Sequence, residues 1–143
     1  MKVVSVNISE EKGTSKHSVP EIVMDERGVK DDAHAGAWHR QVSLLSAEIV
    51  KDFESEMGRS IKPGEFAENL MTTGLDLRTV SILDRLIIGQ VELEVTQIGK
   101  ECHGDNCAIF REAGKCVMPK EGIFCRVIKG GAVKPGDNMS LRE

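Results

Sequence analysis

The segment Val91-Glu92-Leu93-Glu94-Val95-Thr96, in which apolar and polar residues alternate strictly, constrains the fold of this chain more than any other feature. A period of two is typical of a β-strand with one buried face, because successive side chains of a strand point to opposite faces. The stretch 87–90 contains glycine and turns into this strand, which predicts a hairpin with the apolar run before it. The fold is therefore expected to be rich in β-structure.

Further short segments of the chain have strand character. They are the N-terminal segment Val4 to Ser9, Gln41 to Leu45, Gly122 to Ile128 and Asn138 to Leu141. In the first of them, Val4, Val6 and Ile8 are predicted to share one face and to alternate with polar residues. Between the last two, Lys134-Pro135-Gly136-Asp137 has proline and glycine at the positions that favour a type II turn.

One segment has a clear helical pattern. Ser46 is a good N-cap, the apolar residues Ile49, Val50, Phe53 and Met57 follow at helical spacing, and Gly58 ends the segment. Its charged residues are interpreted as a solvated face. Six or more short strands, one helix and no βαβ alternation predict a mainly β (α+β) fold, with a β-barrel-like mixed sheet and short helical decorations. The length of 143 residues fits a single domain over 1–143.

Composition excludes several classes of function. The net charge is −4 and aromatic residues make up only 3% of the chain, which disfavours binding to nucleic acid or to an anionic membrane. No segment has the roughly 20 apolar residues that cross a bilayer, and the N-terminus does not have the apolar stretch of a signal peptide. We therefore expect a cytoplasmic protein with reduced cysteines.

All four cysteines lie in the last third of the chain, at positions 102, 107, 116 and 125. Cys102 follows the alternating strand, with Lys100 two residues before it and His103 directly after it. A neighbouring cation lowers the pKa of a thiol from about 8.5 towards neutrality and so produces a reactive thiolate. Cys102 and His103 are therefore the predicted catalytic residues. The alternative is a pair of buried, inert cysteines, but the polar neighbours of Cys102 are not typical of a core.

A zinc site is a further alternative for the same segment. Cys102, His103, Cys107 and Cys116 supply the four ligands that a structural zinc ion takes. The cysteine spacings of five and nine residues contain no Cys-x-x-Cys motif. The pattern gives this interpretation little support.

A second candidate segment, Gly28 to Gln41, contains His34, Trp38, His39 and Arg40. It can line a pocket for a planar anionic ligand, with Arg40 or Lys16 on a phosphate. Equally, Trp38 can belong to the core while the histidines cap turns. Lys16 itself belongs to a polar stretch, Glu10 to His17, whose simplest interpretation is a connecting loop, although glycine, hydroxyl groups and lysine together can also hold a phosphate.

Four motifs of the chain resemble those of the MOSC domain family, which is named after the C-terminal part of molybdenum cofactor sulfurases. They are Gly-x-x-x-Asp-Ala-His-Ala-Gly with the following His-Arg-Gln-Val-Ser-Leu-Leu, then Gly-Glu-Phe-Ala-Glu-Asn-Leu, Glu-Val-Thr-Gln-Ile-Gly-Lys-Glu-Cys-His and Met-Pro-Lys-Glu-Gly-Ile-Phe. The resemblance is to the small stand-alone bacterial members. It differs from a common branch with Pro-Arg-x-Pro-Cys, since Lys100 stands one place nearer to the cysteine.

The resemblance implies a β-barrel-like fold that binds molybdenum cofactor (molybdopterin) or carries its sulfur. It makes Cys102 the molybdenum ligand, with Lys16, His34, His39, Arg40 and Lys100 as candidate cofactor-binding residues. The alternative function is a molybdenum-cofactor-dependent reductase of N-hydroxylated compounds, or else a zinc-stapled structural module. No pyridoxal phosphate is expected, so the partners would be a desulfurase as sulfur donor or a molybdoenzyme as acceptor. Whether the chain is an enzyme stays open between a sulfurtransferase and an oxidoreductase component.

Overall fold

The computed structural model describes residues 1–10, 16–32, 36, 41–66, 68–74, 79–98 and 122–142. These ranges contain mostly strands and one helix. The elements are β1 (Lys2–Ile8), β2 (His17–Val19), β3 (Ile22–Asp25), β4 (Gly28–Val29), β5 (Val42–Ser46), α1 (Ala47–Met57), β6 (Leu70–Thr73), β7 (Arg85–Ile88), β8 (Val91–Ile98), β9 (Ile123–Lys129), β10 (Gly131–Val133) and β11 (Met139–Arg142). The predicted mainly β class with one clear helix is confirmed. No helix in the described ranges is long and apolar enough to cross a membrane.

Eight of the strands form one mixed sheet in the order β11-β7-β8-β9-β5-β6-β1-β2, and β10-β3-β4 form a second sheet. β5 and β6 run parallel, and the other pairs of the large sheet are antiparallel. The large sheet curls until β1 meets the start of β11, where Lys2 bridges Asn138 and the N–H of Met139 donates to the carbonyl of Met1 at 2.9 Å. The sheet is thus barrel-like without being a fully closed barrel.

Local signals of the sequence produce the predicted local structures. The hydroxyl of Ser46 accepts a hydrogen bond from the N–H of Ile49 at 3.3 Å, as an N-cap does. Gly58 ends the helix in the left-handed conformation, with φ of 71°. Gly89 and Gly136 adopt positive φ angles of 61° and 93° in the two predicted turns. The conformation at each of these positions depends only on residues that are neighbours in sequence.

The large sheet is covered on both faces near the helix. Leu44 packs inside the curled sheet, whereas its neighbour Leu45 packs under α1 against Phe53, and both are completely buried. The same alternation places Ile123 inside and Phe124 under the helix. Two successive residues of a central strand can therefore both be apolar and buried, because each face of the sheet has its own core.

The predicted face of β1 is wrong in one respect. The pairing of β1 with β6 shifts its register between Val3 and Ser5. Val3 is consequently buried in the core, and Val4 is 41% exposed instead of sharing a face with Val6. An irregularity of this kind reverses the faces of the residues before it.

Candidate functional site

Of the seven predicted site residues, Lys16 lies within the described part of the chain. Cys102, His103, Lys100, His34, His39 and Arg40 lie outside the described residues, as do Cys107 and Cys116 of the zinc alternative. Their roles stay predictions. Among the described side chains, no group of three or more His, Cys, Asp and Glu is placed to hold a metal ion.

The described residues that flank the Cys102 segment belong to the sheet. β8 ends at Ile98, and its register partner Ile123 begins β9. The chain therefore leaves and re-enters the same strand pair around residues 99–122. Both attachment points are fixed by backbone pairing, which suits a segment that has to present side chains to a ligand.

Within the second candidate segment, one amide side chain holds the residues on either side of 37–40. Gln41 donates through Nε2 to the carbonyl oxygens of Gly36 at 2.7 Å and Glu26 at 2.8 Å. Its Oε1 accepts from the N–H of Val127 at 2.9 Å. The two residues on either side of 37–40 are thus joined to each other and to β9.

Lys16 forms a buried ion pair with Asp32, the residue that begins the Asp-Ala-His-Ala-Gly motif. Lys16 Nζ lies 2.7 Å from Asp32 Oδ1, and both side chains are completely inaccessible to solvent. Lys16 Nζ also donates to the hydroxyl of Ser9 at 3.2 Å, while the N–H of Ser9 donates to Asp32 Oδ1 at 2.9 Å. The positive charge of Lys16 is therefore balanced inside the protein, and a contact between its ammonium and a phosphate stays a prediction.

Two surface depressions flank Lys16 and share His17. The first, of about 410 Å³, is lined by Lys16, His17, Ser18, Lys62, Pro63 and Glu65. The second, of about 490 Å³, is lined by Ile8, Glu10, His17, Asp31 and Asp32. Both volumes are in the range of small-molecule sites.

The two depressions differ in charge. In the first, the carboxylate of Glu65 is neutralised by Arg59 at 2.7 Å, which leaves Lys62 and His17 to set the local potential. The second is lined by three carboxylates, of which Asp32 is neutralised by Lys16. Among the described lining residues, the charges of the first depression therefore suit an anionic group better than those of the second.

Glu68 and Asn69 are the residues that the sequence analysis missed, since their motif has no catalytic spacing of its own. Glu68 is completely buried. Its Oε2 accepts from the N–H of Gly64 at 2.9 Å, and its Oε1 is buried without a hydrogen-bond partner among the described residues. Burial raises the pKa of Glu68 to about 7, against the opposing effects of backbone hydrogen bonds and the charge of Lys16.

Asn69, directly before β6, joins two strands by hydrogen bonds of its side chain. Its Oδ1 accepts from the N–H of Ser43 at 3.1 Å in β5, and its Nδ2 donates to the carbonyl of Asn7 at 3.1 Å in β1. The side chain of Asn7 forms a further hydrogen bond, in which its Nδ2 donates to the carbonyl of Glu68 at 3.1 Å. The only sequence signal is a polar Glu-Asn pair directly before the apolar Leu70 and Met71, and its partners lie far away along the chain.

Comparison with known proteins agrees with this fold and with the motifs. A family model of the MOSC domain matches residues 31–140. The chain belongs to the MOSC domain family. The resemblance found in the sequence is thereby confirmed, and MOSC domains are associated with functions related to molybdenum cofactor.

Three solved structures of similar fold illustrate the family architecture. The YuaD protein from Bacillus subtilis has a TM-score of 0.79 and 20% identity, with 99% of this chain and 95% of that chain covered. YiiM from Geobacillus stearothermophilus has a TM-score of 0.77 and 23% identity, with 99% and 75% covered. YiiM from Escherichia coli has a TM-score of 0.67 and 22% identity, with 100% and 70% covered. At these identities the likeness establishes the MOSC fold alone. No curated protein sequence matches the chain significantly.

Proposed function

We propose that this MOSC domain binds molybdenum cofactor, or carries sulfur destined for it, through Cys102. The observation that carries the proposal is the family match over residues 31–140, which contains Cys102 together with the His34 and Arg40 motif. A thiolate is a soft ligand, so it suits both molybdenum and sulfane sulfur.

The charge pattern around the first depression supports the anionic end of such a ligand. His17 and Lys62 line this depression, and its one carboxylate is paired with Arg59. Arg40 is a better candidate than Lys16 for direct contact with a phosphate, because the Lys16 ammonium is already bonded to Asp32 and Ser9. Arginine also matches phosphate geometry with two parallel donors.

The remaining roles follow from the chemistry of each residue type. When bound, the cofactor supplies the molybdenum centre. The chain supplies the Cys102 thiol, with His103 beside it to hold or accept the thiol proton, and His34, His39 and Lys100 as further donors to the ligand. A pyridoxal-phosphate-dependent desulfurase as donor and a molybdoenzyme as acceptor are the proposed partners.

Mass spectrometry of the native protein from a molybdenum-replete host tests the proposal. We expect a bound pterin, or mass increments of sulfur on Cys102, in the wild-type protein. Cys102→Ser replaces a soft thiol by a hydroxyl that accepts no sulfane sulfur, so this variant should lose the added mass. Its melting temperature should stay close to that of the wild type.

The zinc alternative gives the opposite result for the same variant. Metal-binding energy in a structural zinc site is folding energy, so the loss of one ligand would lower the melting temperature severely. Stoichiometric zinc in the wild type, released on Cys102→Ser together with such a loss, would overturn the carrier function.

A further inference from the structure

Glu68 is a buried acid whose surroundings do not suit a negative charge. Its side chain is completely inaccessible, Oε2 accepts from the N–H of Gly64, and Oε1 has no partner among the described residues. An ionised carboxylate in an apolar interior needs several hydrogen bonds or a cation of its own. This geometry favours the neutral acid, and a hydrogen-bonding group left unmatched in the interior calls for an explanation.

The carboxyl group of Glu68 is one hydrogen bond away from the wall of the first depression. It accepts from the N–H of Gly64, which lies in the turn between Lys62 and Glu65. The carbonyl of Gly64 in turn accepts from the N–H of Lys16 at 2.7 Å, which belongs to the opposite wall. The carboxyl group thus braces the contact between the two walls.

The contact at Gly64 is too close for any other residue. Gly64 has a φ of +87°, and a Cβ atom placed there would lie 2.4 Å from the carbonyl oxygen of Lys16. Glycine adopts a positive φ at low energy and has no Cβ atom to collide with Lys16. Glycine at position 64 therefore allows this close contact between the two backbone segments. A small movement of the turn would therefore be felt directly at Lys16.

Among the described residues, Glu68 has no cation of its own. The positive charge that acts on it is that of Lys16, which Asp32 already neutralises. The other ionisable side chains described in this region are His17, Lys62 and Glu65, all on the depression, and Glu65 is paired with Arg59. Ionisation of Glu68 would place a negative charge in the interior, and a movement of the 62–65 turn that lets water reach the carboxylate would relieve this cost.

We propose that Glu68 is a proton-operated positioning residue, which as a neutral acid holds the 62–65 turn against Lys16 and which releases this arrangement when its proton passes to solvent. The raised pKa, about 7, places the change in the neutral range. The shape of the first depression would then depend on pH. The inference does not depend on which ligand the domain binds.

Nuclear magnetic resonance can observe this change at the donor of the hydrogen bond. The amide signal of Gly64 should shift with pH, with a midpoint near 7, in a titration from about pH 5 to about pH 9. Glu68→Gln keeps an acceptor oxygen but has no proton to lose, so its Gly64 signal should stay flat. Glu65→Gln, three residues away in the same motif, is the matched control and should titrate like the wild type.

A His17→Gln background removes the histidine that lines the same depression. A flat Gly64 signal in the wild type would overturn the proposal, as would a titration that persists in Glu68→Gln on this background. If Glu68→Gln does not fold, the pH dependence of the chemical shift of the Glu68 side-chain carboxyl carbon in the wild type is measured instead. A midpoint at the ordinary value for glutamate would show that the residue is ionised at neutral pH, and the proposal would fail.

Thermal stability gives an independent readout. The folded state keeps the Glu68 proton up to a pKa of about 7, whereas the unfolded chain loses it at the ordinary value of 4.5. Stability contributed by this group is therefore complete below pH 4.5 and is lost as the pH rises through 7. The melting temperature of the wild type should fall over this interval relative to that of Glu68→Gln, and parallel curves would contradict the proposal.

Discussion

The ammonium of Lys16 and the carboxylate of Asp32 lie 2.7 Å apart in a place that solvent does not reach. The pair joins the residue before β2 to the residue that begins the Asp-Ala-His-Ala-Gly motif. Ser9, directly after β1, bonds to both partners. Three separate segments of the chain thus meet at one buried ion pair. This ion pair fixes the position of Asp32, at the start of the motif that is predicted to contact the ligand.

Lys16→Met should destabilise the domain by about 3–5 kcal/mol, because it leaves the buried carboxylate of Asp32 without its cation. Urea unfolding at neutral pH measures the change. Lys134→Met is the matched control, since its pair with Asp137 is 3.5 Å long and its side chain is 65% exposed. The control should change the free energy of unfolding by less than about 1 kcal/mol.

The double variant Lys16→Met/Asp32→Leu separates the charge from the packing. It removes both charges, so it should be more stable than Lys16→Met alone. A double variant whose loss equals or exceeds the sum of the two single losses would show that the ion pair is not what stabilises this region.

Cys102 should react with iodoacetamide at neutral pH more than about tenfold faster than Cys125, if Lys100 and His103 stabilise its thiolate. Cys125 is an internal control, because it is completely buried in β9. Burial, with a contribution from the charge of Glu94, raises the pKa of the Cys125 thiol well above its ordinary value. Peptide mapping after brief alkylation gives both rates, and equal rates in the folded protein would remove the case for an activated Cys102.

Asn69→Ala should lower the free energy of unfolding by about 2–4 kcal/mol, because it strips hydrogen bonds from buried backbone groups of two strands. The N–H of Ser43 and the carbonyl of Asn7 both lose this partner. Asn138→Ala is the matched control, since Asn138 is exposed. Thermal unfolding followed by circular dichroism compares the two, and similar losses would mean that the Asn69 network contributes little.

Glu48→Gln should reduce stability at neutral pH but not in strong acid. Burial alone would raise the pKa of Glu48, but hydrogen bonds from the Thr73 hydroxyl and from the N–H of Gly74 at 2.9 Å lower it to about 2. The stabilisation is therefore present above pH 4.5, the ordinary value, and is lost as the pH falls towards 2.

The size of this effect at neutral pH should be about 1 kcal/mol, since solvent screens an exposed carboxylate. Asp52→Asn, at an exposed position of the same helix, is the control and should change the free energy of unfolding less than Glu48→Gln. A difference between Glu48→Gln and wild type that persists undiminished at pH 2 would contradict the assignment to this carboxylate.

Several features of the fold could be predicted from sequence because their energetics are local. A serine hydroxyl caps the helix three residues before the N–H that it satisfies, and Gly58 ends the same helix with a backbone angle that other residues avoid. The hairpin of β7 and β8 follows from an apolar run, a glycine turn and an alternating strand in succession. The family motifs, being patterns of residues, were equally visible in the sequence.

Other features depend on contacts between residues far apart in the chain, and only the tertiary structure decided them. The register shift in β1 is set by its pairing with β6, and it exposes Val4 although the local alternation predicts burial. In the sequence, Glu68 and Asn69 are an ordinary pair of polar residues. In the folded protein, Glu68 is a buried acid and the side chain of Asn69 joins two strands. The reason is physical, since the cost of burying a charge and the strength of a hydrogen bond depend on surroundings that folding brings together, and no spacing in the sequence encodes them.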